Sequence, residues 1–279
     1  MSERFQKLIA LMAALRAPEG CPWDRKQTHE SLKPYLIEET YEVLDAIDHA
    51  DRAKLPEELG DVLLQVLFHS QIASEAGHFT VDTVLDQLAD KLIRRHPHVF
   101  PNGSTDPKPA NADQVLARWE DIKQAERRAA GRPESVLDGV PKTLPALLRA
   151  YQIQARASRV GFDWTQDETG FDQVLSKIEE EIRELRMAIR ATGSDSDGRQ
   201  RHIADEFGDV LFSLVNLARF IKVNPEDALR QSISRFIERF QYIETRASAS
   251  GRSVGELSLD EMNGLWDEAK RRGSEGARP

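Results

Sequence analysis

Apolar residues return at helical spacing along most of this chain: Val81, Val84, Leu85, Leu88 and Leu92 form one stripe, and Val174, Ile178, Ile182, Leu185 and Ile189 form another. Strand-like alternation is hard to find, so the pattern predicts an all-α fold. Helix starts are marked by residues that satisfy free backbone N–H groups or lack one. Pro56 stands just ahead of Glu57-Glu58, Asn224-Pro225-Glu226-Asp227 reads as an N-cap and first turn, and Ser258-Leu259-Asp260-Glu261 reads as a capping box. The expected helices lie near 3–16, 34–50, 56–76, 80–96 and 112–128, then near 143–159, 170–191, 200–221, 225–249 and 258–271. Turns are expected at 18–22 and across the Pro/Gly/Asn-rich stretch 97–111.

The second set of helices repeats the order of the first. This predicts two tandem all-helical repeats, each a bundle of four to five helices. The first domain spans 1–127, a polar linker 128–141, the second domain 142–271, and a Gly/Arg/Pro tail, 272–279, is expected to be disordered. One insertion breaks the correspondence: the stretch Gly193-Ser194-Asp195-Ser196-Asp197-Gly198 reads as a loop absent from the first copy.

Within the repeats an acidic signature recurs. Glu38-Glu39-Thr40-Tyr41-Glu42 is followed by Glu57-Glu58-Leu59-Gly60-Asp61-Val62-Leu63, and Glu180-Glu181-Ile182-Arg183-Glu184 by Asp205-Glu206-Phe207-Gly208-Asp209-Val210-Leu211. On a helical wheel Glu39 borders the stripe of Leu36, Thr40, Val43, Leu44 and Ile47, and Glu181 borders its own stripe on the same side, so both are expected to face inward. The next helix is apolar nearly all round in each copy, which predicts burial. Its acids share one narrow line with a polar residue: Glu58, Asp61 and Gln65, then Glu206, Asp209 and Ser213. An acidic first turn complements the helix macrodipole, and either motif alone would be explained that way. Recurrence at fixed spacing on an apolar helix is not. Unpaired ionised groups there would cost several kcal/mol each, on the order of magnitude of buried charges generally, and a divalent cation removes the cost. All-oxygen ligands favour Mg2+ or Mn2+, and the i+3 position holds Asp rather than the His of a di-iron bundle.

Composition narrows the partners. The formal charge is −9 and the 38 basic residues are dispersed, leaving no basic patch for a nucleic-acid backbone. No apolar run approaches the ~20 residues of a membrane span and the start carries no secretory stretch, so no membrane partner and a cytoplasmic location are expected. Cys21 is the only cysteine, which excludes a disulfide framework within the chain.

The repeat extends to cations and indoles. Lys91 and Arg95 are four apart after the first acidic pair, Arg235 and Arg239 after the second, and Trp119/Lys123 and Trp266/Lys270 follow in turn. Residues at i and i+4 share a face, which would suit a phosphate chain and a base, although singly such residues mostly face solvent or pack as core. No glycine-rich phosphate loop occurs. Gly251-Arg252-Ser253-Val254-Gly255 matches a nucleophile-elbow pattern but joins two expected helices where a strand is needed, and His96-Pro97-His98 reads as a turn.

At these residues the chain resembles the MazG family of tandem-repeat nucleoside triphosphate pyrophosphohydrolases, over almost its full length. The likeness rests on Gly20-Cys21-Pro22-Trp23-Asp24 with Gln27-Thr28-His29, the acidic pairs, Arg94-Arg95-His96-Pro97-His98-Val99-Phe100, Ala117-Arg118-Trp119-Glu120 and Val160-Gly161-Phe162-Asp163-Trp164. It implies Mg2+-dependent hydrolysis of nucleoside triphosphates to monophosphate and pyrophosphate, nucleotide-pool house-cleaning, a homodimer and broad base tolerance. It carries Glu181, Glu184, Glu206 and Asp209 over as metal ligands and Lys177, Arg235, Arg239, Trp266 and Lys270 as triphosphate or base contacts. Glu39, Glu42, Glu58 and Asp61 are the matching metal set of the first copy. Glu180, beside the ligands, is the expected water-orienting or proton-accepting residue. The alternative is a regulatory module that binds a nucleotide or alarmone without cutting it.

Overall fold

The computed structural model describes residues 2–101, 109–129, 131, 135–191 and 196–276. Its regular elements are helical: α1 (Glu3–Arg16), α2 (Pro22–Lys26), α3 (Lys33–Asp48), α4 (Leu55–Glu75), α5 (Val81–Arg95), α6 (Ala112–Ala129), α7 (Ala146–Arg159), α8 (Glu168–Arg190), α9 (Ser196–Phe220), α10 (Pro225–Ala249), a 3-10 turn at Val254–Glu256, and α11 (Leu259–Gly276). Three differences from expectation concern short segments. The stretch after the first turn winds into α2, with Pro22 at its start where a missing N–H costs nothing. The expected extra loop is partly helix, since α9 begins at Ser196; residues 193–195 of it lie outside the described residues. The expected tail is helical through Gly276, and residues 277–279 lie outside the described residues.

The chain divides into two compact units, Met1–Lys123 and Gln124–Pro279. In the first, α4 packs on α1, α3 and α5; in the second, α8 packs on α9, α9 on α7, and α10 on α7 and α11. Each unit thus places its two acid-bearing helices side by side. Part of the expected linker is packed as well: Val140 is buried, and the Arg156 guanidinium of α7 donates to the carbonyls of Asp138 and Gly139.

The helix starts are chemically defined. The Asp167 carboxylate accepts from the Gly170 N–H at 2.8 Å and starts α8, and Asn224 accepts from Glu226 and Asp227 to start α10. Gly170 is required there by contact, since a Cβ would fall 1.8 Å from the Thr165 carbonyl oxygen. In the first unit Met12, Leu32 and Phe68 form a buried core with Ile72 against them. The expectation that the second acidic helix is buried all round fails in both copies. Leu59 and Leu64 on α4, and Phe207, Leu211 and Leu214 on α9, are exposed, because the helices packed against α4 and α9 within each unit leave one apolar face uncovered. Among the described residues no helix is long and apolar enough to cross a membrane.

Candidate active site

The i, i+3 spacing of Glu58 with Asp61, and of Glu206 with Asp209, puts each pair on one face of its helix, and the adjacent helix brings a third carboxylate. One oxygen from each of Glu39, Glu58 and Asp61 lies within 4.8 Å of the others, and the same holds for Glu181, Glu206 and Asp209. Glu58 and Glu181 are buried, at 2% and 7% relative exposure, as few carboxylates are without a partner. The fourth ligand expected in each set is not gathered: Glu42 and Glu184, one turn beyond Glu39 and Glu181, stay outside the clusters. Glu42 is engaged elsewhere, since its contact with the Glu58 carboxylate holds its carboxyl above the usual carboxylate range.

The cations nearest the two clusters stand at different places, the N-cap of α4 in the first unit and the interior of α8 in the second. In the first unit the Lys54 ammonium lies 2.8 Å from Glu58 and holds that carboxyl below its usual range. In the second, Lys177 of α8 reaches Glu180 at 2.7 Å and Glu181 at 2.8 Å, and these bonds raise the Lys177 ammonium well above its usual range. Four residues ahead of Glu206, where the first copy has Lys54, stands His202, with Nδ1 3.5 Å from the Glu206 carboxylate. Glu39 is pushed up by burial first and then by the charges of Asp61, Glu38 and Glu58. Glu206 keeps one buried oxygen, Oε2, with no hydrogen-bond partner. Two oxygen triads with a buried orphan acceptor in one of them are a donor set that a hard divalent cation fits.

A cavity of about 410 Å³ opens beside the second triad. Glu181, Asp209 and Lys177 stand at its wall together with Val174, Trp164 and Phe212, and the amides of Gln154 and Asn216 enter it from α7 and α9. Arg219 braces the wall: it donates to Asp163 at 2.8 and 2.5 Å and to Asn216. The sequence reading missed Gln154, Asn216 and the Asp163–Arg219 pair. A signal existed for Asn216, seven residues after Asp209, where the first copy has Phe68 seven after Asp61.

The expected phosphate cations group with one another. Arg235, Arg239 and Lys270 line a separate cavity of about 610 Å³ between α10 and α11, which shares no lining residue with the acidic one. Trp266 packs at 5.2 Å against Phe236, with the Arg239 guanidinium 5.5 Å over its ring. In the first unit Trp119 packs edge-on against His96 at 4.8 Å, and Lys91 is exposed.

A tandem all-helical protein with one carboxylate triad per repeat is the class that fold and site define. The profile of the MazG nucleotide pyrophosphohydrolase domain matches residues 27–100 and again 169–243. Over 266 residues the chain is 46% identical to the nucleoside triphosphate pyrophosphohydrolase/pyrophosphatase MazG of Thermotoga maritima, covering 95% of each chain. It is 42% identical over 269 residues to the nucleoside triphosphate pyrophosphohydrolase of Escherichia coli K12, covering 96% of this chain and 97% of that one. It is also 46% identical over 267 residues to the uncharacterized protein YabN of Bacillus subtilis, of which it spans 51%. The chain belongs to the MazG nucleotide pyrophosphohydrolase family and carries the family's domain twice.

Proposed function

We propose that this protein is a nucleoside triphosphate pyrophosphohydrolase that opens the α–β phosphoanhydride bond at its second repeat and releases nucleoside monophosphate and pyrophosphate. The observation that carries this reading is the Glu181–Glu206–Asp209 triad opening onto a cavity with a cation, Lys177, at its edge. Mg2+, with Mn2+ as a substitute, is the ion the oxygen donors suit. When bound, it polarises phosphate oxygens and makes a coordinated water acidic.

The chain's own groups do the rest. Glu181, Glu206 and Asp209 would hold the ion, with Glu184, one turn further along α8, as an additional oxygen donor. Lys177, at the cavity edge and paired with Glu181, is the cation placed to meet a phosphate oxygen. Glu180 is ion-paired and held below the usual carboxylate range by Lys177, which makes it a poor proton acceptor and a good holder of that lysine. Arg235, Arg239 and Lys270, gathered in their own cavity between α10 and α11 with Arg239 over the Trp266 ring, are the cations available to a departing pyrophosphate. The exposed apolar residues of α9 and α10 suit a homodimer.

Glu206→Gln tests the reading. Release of pyrophosphate from ATP or dUTP in Mg2+ should fall by about a hundredfold or more, with the helical spectrum and melting retained. Full activity in the variant would remove Glu206 from the mechanism. A wild-type protein that binds the triphosphate and never releases pyrophosphate would favour the regulatory module instead.

A further inference from the structure

Arg219 lines the cavity that holds Glu181 and Asp209, where an arginine is ordinarily read as a phosphate contact. Its donors are already committed. Nη1 donates to Asp163 Oδ2 at 2.8 Å, Nη2 to Asp163 Oδ1 at 2.5 Å and to Asn216 Oδ1 at 2.7 Å, and Nε to Asn216 Oδ1 at 3.2 Å. A guanidinium carries five N–H groups in a rigid fork, so one is left over. The Arg219 and Asp163 side chains are 11% and 15% exposed, and a bidentate pair so far out of water holds its geometry well. Gln154 is turned to the protein as well: its Nε2 donates to the Phe212 carbonyl at 2.8 Å, and its Oε1 is buried without a partner.

The carboxylate end of the pair lies in the connector between α7 and α8. That connector leaves α7 through Gly161, at φ 89°, and enters α8 at the Asp167 cap. Phe162, Asp163 and Trp164, which lie between, all line the cavity, and Asp163 Oδ1 also accepts from the Trp164 N–H at 3.0 Å. Phe162 is 83% exposed, so its own packing does little to hold the connector in place. The Arg219 fork ties the connector across to α9.

The first repeat makes the same connection with the charges exchanged. Arg16 of α1 donates to the Asp24 and Gln27 carbonyls of its connector, at 2.6 and 3.2 Å, and to the Glu75 carboxylate of α4 at 2.7 Å. Ten residues after the motif aspartate stands Gln71 in that repeat and Arg219 in this one. Each repeat thus fastens the connector ahead of its inward glutamate to its second acidic helix, from different positions in the sequence. In the second repeat the pair has an electrostatic consequence too. A bare Asp163 would add a third carboxylate to the lining of a cavity that has to admit an anion, and Arg219 cancels it.

Resting on the pyrophosphohydrolase reading, we propose that Arg219 is a positioning residue: through Asp163 it fixes the Phe162–Trp164 wall against α9 and cancels a charge that would repel the triphosphate, and it is not itself a phosphate ligand. The two roles predict opposite behaviour when Asp163 is neutralised in a chain that has already lost Arg219. A missing phosphate ligand is not restored by that change, whereas a missing counter-charge no longer matters.

The test measures binding of α,β-methylene-ATP, whose α–β link cannot be hydrolysed, to the full chain in Mg2+. Arg219→Gln should bind it about tenfold or more weaker than the wild type, as expected when one partner of a mostly buried ion pair is removed, with Mn2+ binding in the absence of nucleotide unchanged because the triad is intact. For ATP the loss should fall on KM more than on kcat. Adding Asp163→Asn to Arg219→Gln should recover at least about threefold of the lost affinity. A double variant that binds no better than Arg219→Gln overturns the proposal and makes Arg219 a phosphate contact; loss of Mn2+ binding in Arg219→Gln overturns it too, since the residue would then act through the triad. Asp163→Asn alone, which keeps Arg219, covers the case in which Arg219→Gln does not fold. Chymotrypsin should cut it after Phe162 about tenfold or more faster than the wild type, because cleavage follows local opening, and an unchanged rate overturns the brace. If the binding pattern holds but the wild type releases no pyrophosphate from ATP, the brace stands and the hydrolytic reading falls.

Discussion

Lys177 holds two carboxylates of the second repeat at once, at 2.7 and 2.8 Å, and one of them is a triad member. Lysine and a divalent ion therefore compete for Glu181, while lysine and a phosphate attract. Lys177→Met separates the two effects. Mn2+ binding without nucleotide should tighten by up to about fivefold, the worth of a partly exposed ion pair, while KM for a triphosphate rises. Calorimetry of Mn2+ binding that shows a looser site in the variant would contradict the competition. At this scale the sequence was informative wherever chemistry follows spacing. Glu58 with Asp61, and Glu206 with Asp209, meet because i and i+3 share a face. Glu42 was not legible in the same way, because its contact with Glu58 depends on rotamer and local charge. Gln154 was illegible for a different reason: its partner Phe212 is 58 residues away, and only the packing of α7 on α9 reveals which amide oxygen is left over.

Helices α4 and α9 each carry two carboxylates of a triad, and α4 also carries a titrating contact. His69 of α4 stacks on His29 at 5.1 Å, with their Nδ1 atoms 2.8 Å apart. Burial, and then the nearness of His29, holds His69 below its ordinary 6.5. The folded state thus favours the neutral ring, and the unfolded chain takes up the proton first on acidification. The stability this contributes is complete above pH 6.5 and is lost as pH falls through and below that value. The melting temperature of the wild type should fall between pH 7.5 and 5.5 more steeply than that of His69→Gln; parallel slopes would show that the pair is not the titrating contact. Element positions were largely readable from periodicity and caps, as at Asn224 and Ser258. The burial of α9 was not, since an apolar surface says that something covers it without saying whether that lies in the same chain.

Within the second unit such a surface is left open. Ile233 and Ile237, one turn apart on α10, are 51% and 48% exposed, and Phe207, Leu211 and Leu214 of α9 are exposed as well. A patch of that kind suits a second copy, for which a two-fold interface is the commonest arrangement. Sedimentation should give twice the 31.5 kDa of one chain, and Ile233→Asp with Ile237→Asp should shift it toward the monomer. A wild type that sediments as a single chain at micromolar concentration would rule the dimer out. The packed stretch 135–140 bears on any attempt to separate the halves. Leu137 forms part of the wall of the cavity beside the second triad, and Val140 is buried. A fragment begun at residue 142, where the sequence places the domain start, would carry every carboxylate of the second triad and still lack Leu137 from the wall of the cavity beside it; a faithful half must begin upstream of residue 135.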